Sequence, residues 1–360
     1  MFDLNTIVRH NVRKMKPYSS ARDEFEGEAS IYIDANENNL GSMAGGAVYN
    51  RYPDPYQSQV KKEIAQIKDL DPKNIFLGNG SDEAIDLLIR MVCRPGEDEV
   101  LLFPPTYGMY DVSANLNDVK VKTLLLTYRE YQLPVEEVPG AVTDKTKIVF
   151  VCTPTNPTGN QMDPGRIDFL LRTFPGLVVV DEAYQDFTKT LSWTTRLEEF
   201  PNLVVLQTFS KAWGLAGLRL GMAFASPEII SYLNKIKPPY NINQATQELA
   251  LQALRNRGQL DQMIRTILVG RDYLWNSLAS LPIIEKVFPS DANFILVKLI
   301  PELLADEVYL YMLNQGIVVR NRSKLPGCAN TLRLSVGTKE ENQKVVEAFA
   351  NYKLEMRNEK

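Results

Sequence analysis

Between residues 57 and 240 short apolar runs alternate with stretches of helical period. The runs at 74–77, 99–103, 119–126, 147–152, 177–180, 203–206 and 218–225 read as strands. Several are continuously apolar rather than alternating, as strands covered on both faces should be. Helices are expected at 57–68 and 81–93. In the second, Ala84, Ile85, Leu87, Leu88, Ile89, Met91 and Val92 recur on a helical period. Residues 163–174 open with Asp163 as N-cap and Pro164 in the first turn, and Ser226-Pro227-Glu228 opens a further helix in the same way. This alternation predicts an α/β domain with a mostly parallel central sheet flanked by helices. In such sheets ligands bind beyond the carboxyl ends of the strands.

After residue 243 the pattern changes. A long helical stretch, 243–281, precedes a strand at 293–299, a helix at 302–315, strands at 317–320 and 331–335, and a last helix at 338–354. That order predicts a smaller α+β domain. The first thirty residues are polar, without a clear period. The expected organisation is therefore an arm over 1–30 packing on the small domain or a partner subunit, a large domain over 31–250 and a small C-terminal domain over 251–360.

Composition narrows the chemistry. The net charge of −4 and the lack of a basic block argue against nucleic-acid binding, so an anionic ligand must meet local arginines. His10 is the single histidine, and Cys93, Cys152 and Cys328 are far apart, which fits neither a histidine-rich metal site nor a zinc site. No metal is expected. Three cysteines suit a reducing compartment better than a disulfide framework. No run is long and apolar enough to span a membrane, and the N-terminus lacks the order of a signal peptide. The expectation is a cytoplasmic protein without a membrane partner.

The segment 208–221 carries the strongest chemical signal. It follows the run 203–206 and sets Lys211 beside Thr208 and Ser210, with Arg219 eight positions after the lysine. An isolated lysine is ordinarily a solvated surface group. In this setting its amine can condense with a phosphorylated aldehyde while hydroxyls and a guanidinium hold the phosphate. Asp181 ends the run 177–180; it could cap the next element, or keep a pyridine nitrogen protonated. Asn156 sits in Thr153-Pro154-Thr155-Asn156-Pro157-Thr158-Gly159, which a plain turn also explains. Gly78-Asn79-Gly80-Ser81-Asp82-Glu83 joins a strand to a helix, where free amides and the positive helix end favour phosphate, although Ser81 or Asp82 could simply cap. No Walker lysine or dinucleotide fingerprint occurs there. Tyr107 follows another strand, and Arg320 and Arg333 sit in apolar runs near the C-terminus.

Taken in order, these motifs resemble the fold-type I pyridoxal-phosphate enzymes of the class I and II aminotransferase family. The resemblance implies pyridoxal 5'-phosphate as cofactor, with Lys211 as its covalent partner and proton carrier. It implies Asp181 at the ring nitrogen, Tyr184 of Asp181-Glu182-Ala183-Tyr184 and Asn156 at the ring oxygen, and Tyr107 on the ring face. Gly80, Ser81, Asp82, Thr208, Ser210 and Arg219 would hold the cofactor phosphate. Lys16-Pro17-Tyr18-Ser19-Ser20-Ala21-Arg22, Asp34-Ala35-Asn36-Glu37-Asn38 and Asn50-Arg51-Tyr52-Pro53-Asp54-Pro55 are similar to the histidinol-phosphate branch of that family. That branch implies Tyr52 reaching the cofactor phosphate of a neighbouring subunit in a homodimer, and Tyr18, Arg320 and Arg333 on the substrate. The implied reaction moves an amino group from histidinol phosphate to 2-oxoglutarate, yielding glutamate. An aromatic amino-acid aminotransferase would keep every cofactor residue. A decarboxylase of a phosphorylated amino acid would need the same lysine, aspartate and arginines. A cofactor-binding transcriptional regulator would need a helix-turn-helix module, for which the first forty residues show no pattern.

Overall fold

The computed structural model describes residues 2–18, 30–44 and 49–358, with side chains as far as Tyr352. Seven strands form the large sheet: β1 (Ile75–Asn79), β2 (Glu99–Leu102), β3 (Lys120–Thr123), β4 (Thr146–Cys152), β5 (Leu177–Asp181), β6 (Leu203–Thr208) and β7 (Leu220–Ala225). Their order is β1-β7-β6-β5-β4-β2-β3. The β3-β2-β4-β5-β6 pairs are parallel, while β7 runs antiparallel to both β6 and β1. A second sheet, ordered β10-β11-β9-β8, is antiparallel and contains β8 (Ile284–Val287), β9 (Phe294–Leu299), β10 (Arg320–Asn321) and β11 (Thr331–Ser335).

Alternate residues of the central strands feed two cores, as the period of two requires. Val149, Val151, Val178 and Val180 pack on one face of the large sheet, and Ile148, Phe150, Leu177 and Val179 on the other. The chain begins with two short helices, α1 (Leu4–Ile7) and α2 (His10–Lys14), followed by α3 (Ser58–Lys68) and α4 (Gly80–Val92). Next come α5 (Met109–Leu116), α6 (Val138–Ala141), α7 (Pro164–Thr173) and α8 (Pro227–Ile236). The Asp163 and Ser226 caps form as the sequence indicates, accepting from the amides of Arg166 and Ile229. The stretch expected as one long helix is broken at Asn256 into α9 (Gln244–Arg255) and α10 (Arg257–Ala279). The last two helices, α11 (Ala305–Asn314) and α12 (Lys339–Asn358), join α10 over the small sheet, where Leu274, Val308, Met312 and Phe349 share a third core.

Three differences from the sequence reading stand out. β8 was not expected, because its pattern, buried only at Ile284 and Val287, is too short to register as alternation. The strand expected at 317–320 lies later, at Arg320–Asn321. The third concerns the N-terminal arm. Its described residues pack on the large sheet's helices rather than on the small domain. Leu4, Val8 and Val12 are buried in the same core as α4 and α8, Arg9 donates its amide to the Met91 carbonyl, and Lys235 donates to Arg13. Part of the arm, residues 19–29, lies outside the described residues, as does the 19–22 portion of the Lys16–Arg22 motif.

The reversal of β7 matters for the site. It brings the start of β7, and Arg219 just before it, to the edge where the parallel strands end. The turn between β1 and α4 crosses there: the Gly80 amide donates to the Arg219 carbonyl at 2.6 Å. Gly221 must lack a side chain, since a Cβ would stand 2.1 Å from the Ser81 nitrogen. Gly80 itself has φ +71, a left-handed backbone that glycine tolerates without a steric penalty.

Candidate active site

The carboxyl ends of β4, β5 and β6 open into a cavity of about 640 Å³ between the two sheets. Cys152 and Asp181 end β4 and β5, and Thr208 ends β6. The cavity collects Lys211, Asp181, Asn156, Tyr184, Tyr107 and Arg219 from strand ends and loops far apart in sequence. Gly80, Ser81, Asp82, Thr208 and Ser210 line it at the α4 end, and Arg320 and Arg333 at the small-sheet end.

Asp181 is almost fully buried at 2 % exposure. Its carboxylate accepts from the Tyr110 hydroxyl at 2.6 Å and from the Ala183 amide at 3.0 Å. Burial outweighs these bonds and raises its pKa to about 6. Nothing in the sequence nominates Tyr110, which stacks on Phe150 in the core. Lys211 is open to water on the cavity side, with its ammonium 5.7 Å from the Tyr184 ring centroid. Its pKa lies below the ordinary lysine value, chiefly through loss of hydration and then through Arg333, against the opposing pull of Asp181. Both shifts favour proton exchange near neutral pH.

Two donors converge between these groups. The Asn156 amide lies 3.5 Å from the Tyr184 hydroxyl, and Tyr184 stands edge-on to Phe294. Arg333 donates to the Asn156 side-chain oxygen, which aims the amide nitrogen toward Tyr184 and ties the small sheet to the β4 loop. The Arg333 guanidinium also lies over the Phe294 ring, at 5.0 Å. Tyr107 meets Tyr110 edge to face and donates to Asp82 at 3.1 Å.

At the α4 end, Ser210 donates its amide to Thr208 Oγ1, and the two hydroxyls are 3.0 Å apart. Arg219 reaches Asp82 at 3.4 Å, a half-exposed contact that an incoming phosphate can displace. The Gly80 amide is taken by the Arg219 carbonyl, and the next first-turn amides of α4 have no intrahelical acceptors, as at any helix start. A phosphorylated pyridine aldehyde fits this donor set: phosphate at α4 and Arg219, ring nitrogen at Asp181, ring oxygen at Asn156 and Tyr184, aldehyde at Lys211. The buried carboxylate, raised in pKa and bonded to no cation among the described residues, is the observation that best matches a protonated ring nitrogen.

Arg322 also lines the cavity, a residue the sequence reading did not single out. It lies two positions beyond Arg320, so strand alternation was the available signal. Among the described residues Arg320, Arg322 and Arg333 take part in no ion pair.

Two expected residues are not brought to this cavity by their own chain. Tyr52 stacks on Tyr240, with ring centroids 4.5 Å apart, beside a separate pocket formed with Asn36, Glu37 and Asn243. Tyr18 lies against a small pocket with Pro55, Tyr56 and Tyr240, and is 65 % exposed. No cluster of potential metal ligands occurs among the described residues, and no helix there is long and apolar enough to cross a membrane.

The family model "Aminotransferase class I and II" matches residues 31–349. A histidinol-phosphate aminotransferase of Cytophaga hutchinsonii is 50 % identical over 98 % of this chain and 99 % of its own length. Among solved structures, a histidinol-phosphate aminotransferase of Sinorhizobium meliloti in complex with pyridoxal-5'-phosphate superposes with a TM-score of 0.76. It is 23 % identical, over 88 % of this chain and 89 % of that one. An L-threonine-O-3-phosphate decarboxylase of Porphyromonas gingivalis, also 23 % identical, superposes with a TM-score of 0.72 over 87 % and 92 % of the two chains. The same fold thus serves different reactions.

Proposed function

The chain belongs to the aminotransferase class I and II family, and we propose that it transfers the amino group of L-histidinol phosphate to 2-oxoglutarate. The products are imidazole-acetol phosphate and L-glutamate, the cofactor is pyridoxal 5'-phosphate, and the pathway is histidine biosynthesis. One observation supports this reading above the others: the cavity has two cationic ends, Arg219 at α4 and Arg320 with Arg333 at the small sheet. A phosphorylated cofactor and a phosphorylated substrate each require one. The family comparison favours amino transfer over decarboxylation.

The bound cofactor supplies an aldehyde that exchanges the amino group and a ring that withdraws electrons. The chain's residues do the rest. Asp181 holds a proton at the ring nitrogen. Asn156 and Tyr184 would donate to the ring oxygen. The Lys211 amine, neutral more often than an ordinary lysine, takes a proton from the substrate carbon and returns it. Arg333 and Arg320 grip the substrate phosphate, and later a carboxylate of glutamate or 2-oxoglutarate, because both anions accept a bidentate fork.

The test mixes cofactor-loaded enzyme with L-histidinol phosphate, L-phenylalanine or threonine phosphate in the absence of keto acid, and follows the visible spectrum. Rapid conversion by histidinol phosphate, reversed by 2-oxoglutarate, is the expected result. Conversion by phenylalanine alone would replace the proposed substrate with an aromatic amino acid. Carbon dioxide from threonine phosphate would point to the decarboxylase.

We further propose a cytoplasmic homodimer in which Tyr52 completes the partner's site. Ile31, Ile33, Leu40, Met43 and Tyr52 are all more than half exposed, an apolar surface that an isolated chain would leave in water. Mixing Lys211→Ala chains with Tyr52→Ala chains should restore activity above either parent, because each mixed dimer carries both lesions in one site and leaves the other intact. No gain on mixing, with dimer exchange verified, would remove Tyr52 from a shared site.

A further inference from the structure

The small-sheet end of the cavity carries a third guanidinium. β10 and β11 pair with Arg320 opposite Arg333 and Asn321 opposite Leu332. The ladder continues one step beyond β10, where the Arg322 amide donates to the Thr331 carbonyl at 3.0 Å. Side chains two apart on a strand share a face, and so do directly paired residues. Arg320, Arg322 and Arg333 therefore turn to the cavity together, while Leu332 and Leu334 turn into the small-domain core.

The three are not equally committed. Arg333 is bonded to Asn156 and lies over Phe294. Both Arg322 and Arg333 have a buried Nε with no hydrogen-bond partner among the described residues, but only Arg333 has a bond elsewhere on its guanidinium. A buried N–H without an acceptor is costly, and the cost disappears when a ligand oxygen arrives. Burial and the two neighbouring arginines lower the Arg322 pKa as well, which marks a local excess of positive charge.

We propose that Arg322 is a specificity-determining residue, whose guanidinium makes this end of the cavity prefer a doubly charged phosphomonoester to a singly charged carboxylate. The inference rests on the substrate reading above. A carboxylate has two oxygens and one charge, and two arginine forks saturate it. A phosphomonoester carries close to two negative charges at neutral pH and three terminal oxygens, so a third fork still finds an acceptor. Arg322 then contributes to one ligand class and little to the other.

The experiment compares Arg322→Gln and Arg322→Lys with the parent enzyme, all loaded with cofactor. The donors are L-histidinol phosphate, L-histidinol, which lacks the phosphate, and L-glutamate. Arg322→Gln should lower the half-reaction efficiency with histidinol phosphate about 10- to 100-fold, the range of a charge-assisted hydrogen bond. Histidinol and glutamate should be unaffected, and Arg322→Lys should recover part of the loss. Titration with inorganic phosphate reads the same effect without turnover, and its affinity should fall in parallel. The parent's preference for the phosphorylated donor should rise through about pH 6, where the second phosphate proton leaves, and Arg322→Gln should flatten that rise. Equal losses with all donors, or none with histidinol phosphate, would overturn the role of Arg322. A parent enzyme that handled histidinol and its phosphate alike would instead sink the phosphomonoester reading itself, and this inference with it.

Discussion

Lys211→Ala is expected to fold, to bind pyridoxal phosphate without a covalent bond, and to lose roughly 10⁴-fold or more in kcat, the upper range for removing a positioned acid–base group. The reasoning starts from where the lysine stands. It follows β6 by three residues, faces the cavity and lies near Asp181, Tyr184 and Arg333. Its lowered pKa leaves more free amine near neutral pH than a surface lysine would have, and only the free amine can form the covalent bond or take a proton. Arg is the informative control. Lys211→Arg keeps the positive charge but does not deprotonate at working pH, so it should be as inactive as the alanine variant. Borohydride reduction followed by peptide mass spectrometry should place the cofactor on Lys211 in the parent and nowhere in the variants. A small added amine should restore part of the lost rate in Lys211→Ala, whose cavity gains room for it. Retention of activity within tenfold of the parent, or cofactor trapped on another lysine, would remove Lys211 from the mechanism.

Much of this site was legible because its parts lie next to strong local signals. Asp181, Thr208 and the Asn156 turn each follow a buried parallel strand, and a parallel sheet delivers all such ends to one edge. Periodicity therefore predicted the neighbourhood before any coordinates. The residues it missed are those whose role depends on long-range register. Tyr110 is 71 positions from the Asp181 it serves, inside an ordinary apolar helix. Arg322 became a cavity residue only once β10 was paired with β11 in a particular register. The N-terminal arm misled for a different reason. Leu4, Val8 and Val12 do recur four apart, but across two helices of four and five residues with Val8 as the extended cap between them, too short for a helical period to rise above their polar neighbours. Tyr18 and Tyr52 mark the opposite limit: their motifs are plain in the sequence, yet a single chain leaves both away from the Lys211 cavity.

The second large effect belongs to Asp181. Asp181→Asn should lower kcat about 10²- to 10³-fold, the scale of losing one preorganised charge partner. It should also reveal itself without any substrate. The native carboxyl has a pKa of about 6 against about 3.9 for a free aspartate, so between those values the folded state holds more protons than the unfolded chain. Folding stability of the cofactor-free protein then falls as pH rises from about 4 to about 6 and levels off above, by a total on the order of 3 kcal/mol from this group. Asparagine cannot ionise, so the variant should lack that part of the slope. Denaturation of both cofactor-free proteins across this range isolates the difference, since their other titrating groups are shared. A difference that stays flat would mean that Asp181 is not a charge held out of water. Cofactor should erase the effect in the parent, because a protonated ring nitrogen beside the carboxylate supplies the cation that the site otherwise lacks. The burial that makes this aspartate costly in the empty protein is what makes it a strong partner for the ring, since a charge pair out of water interacts far more strongly than one in it.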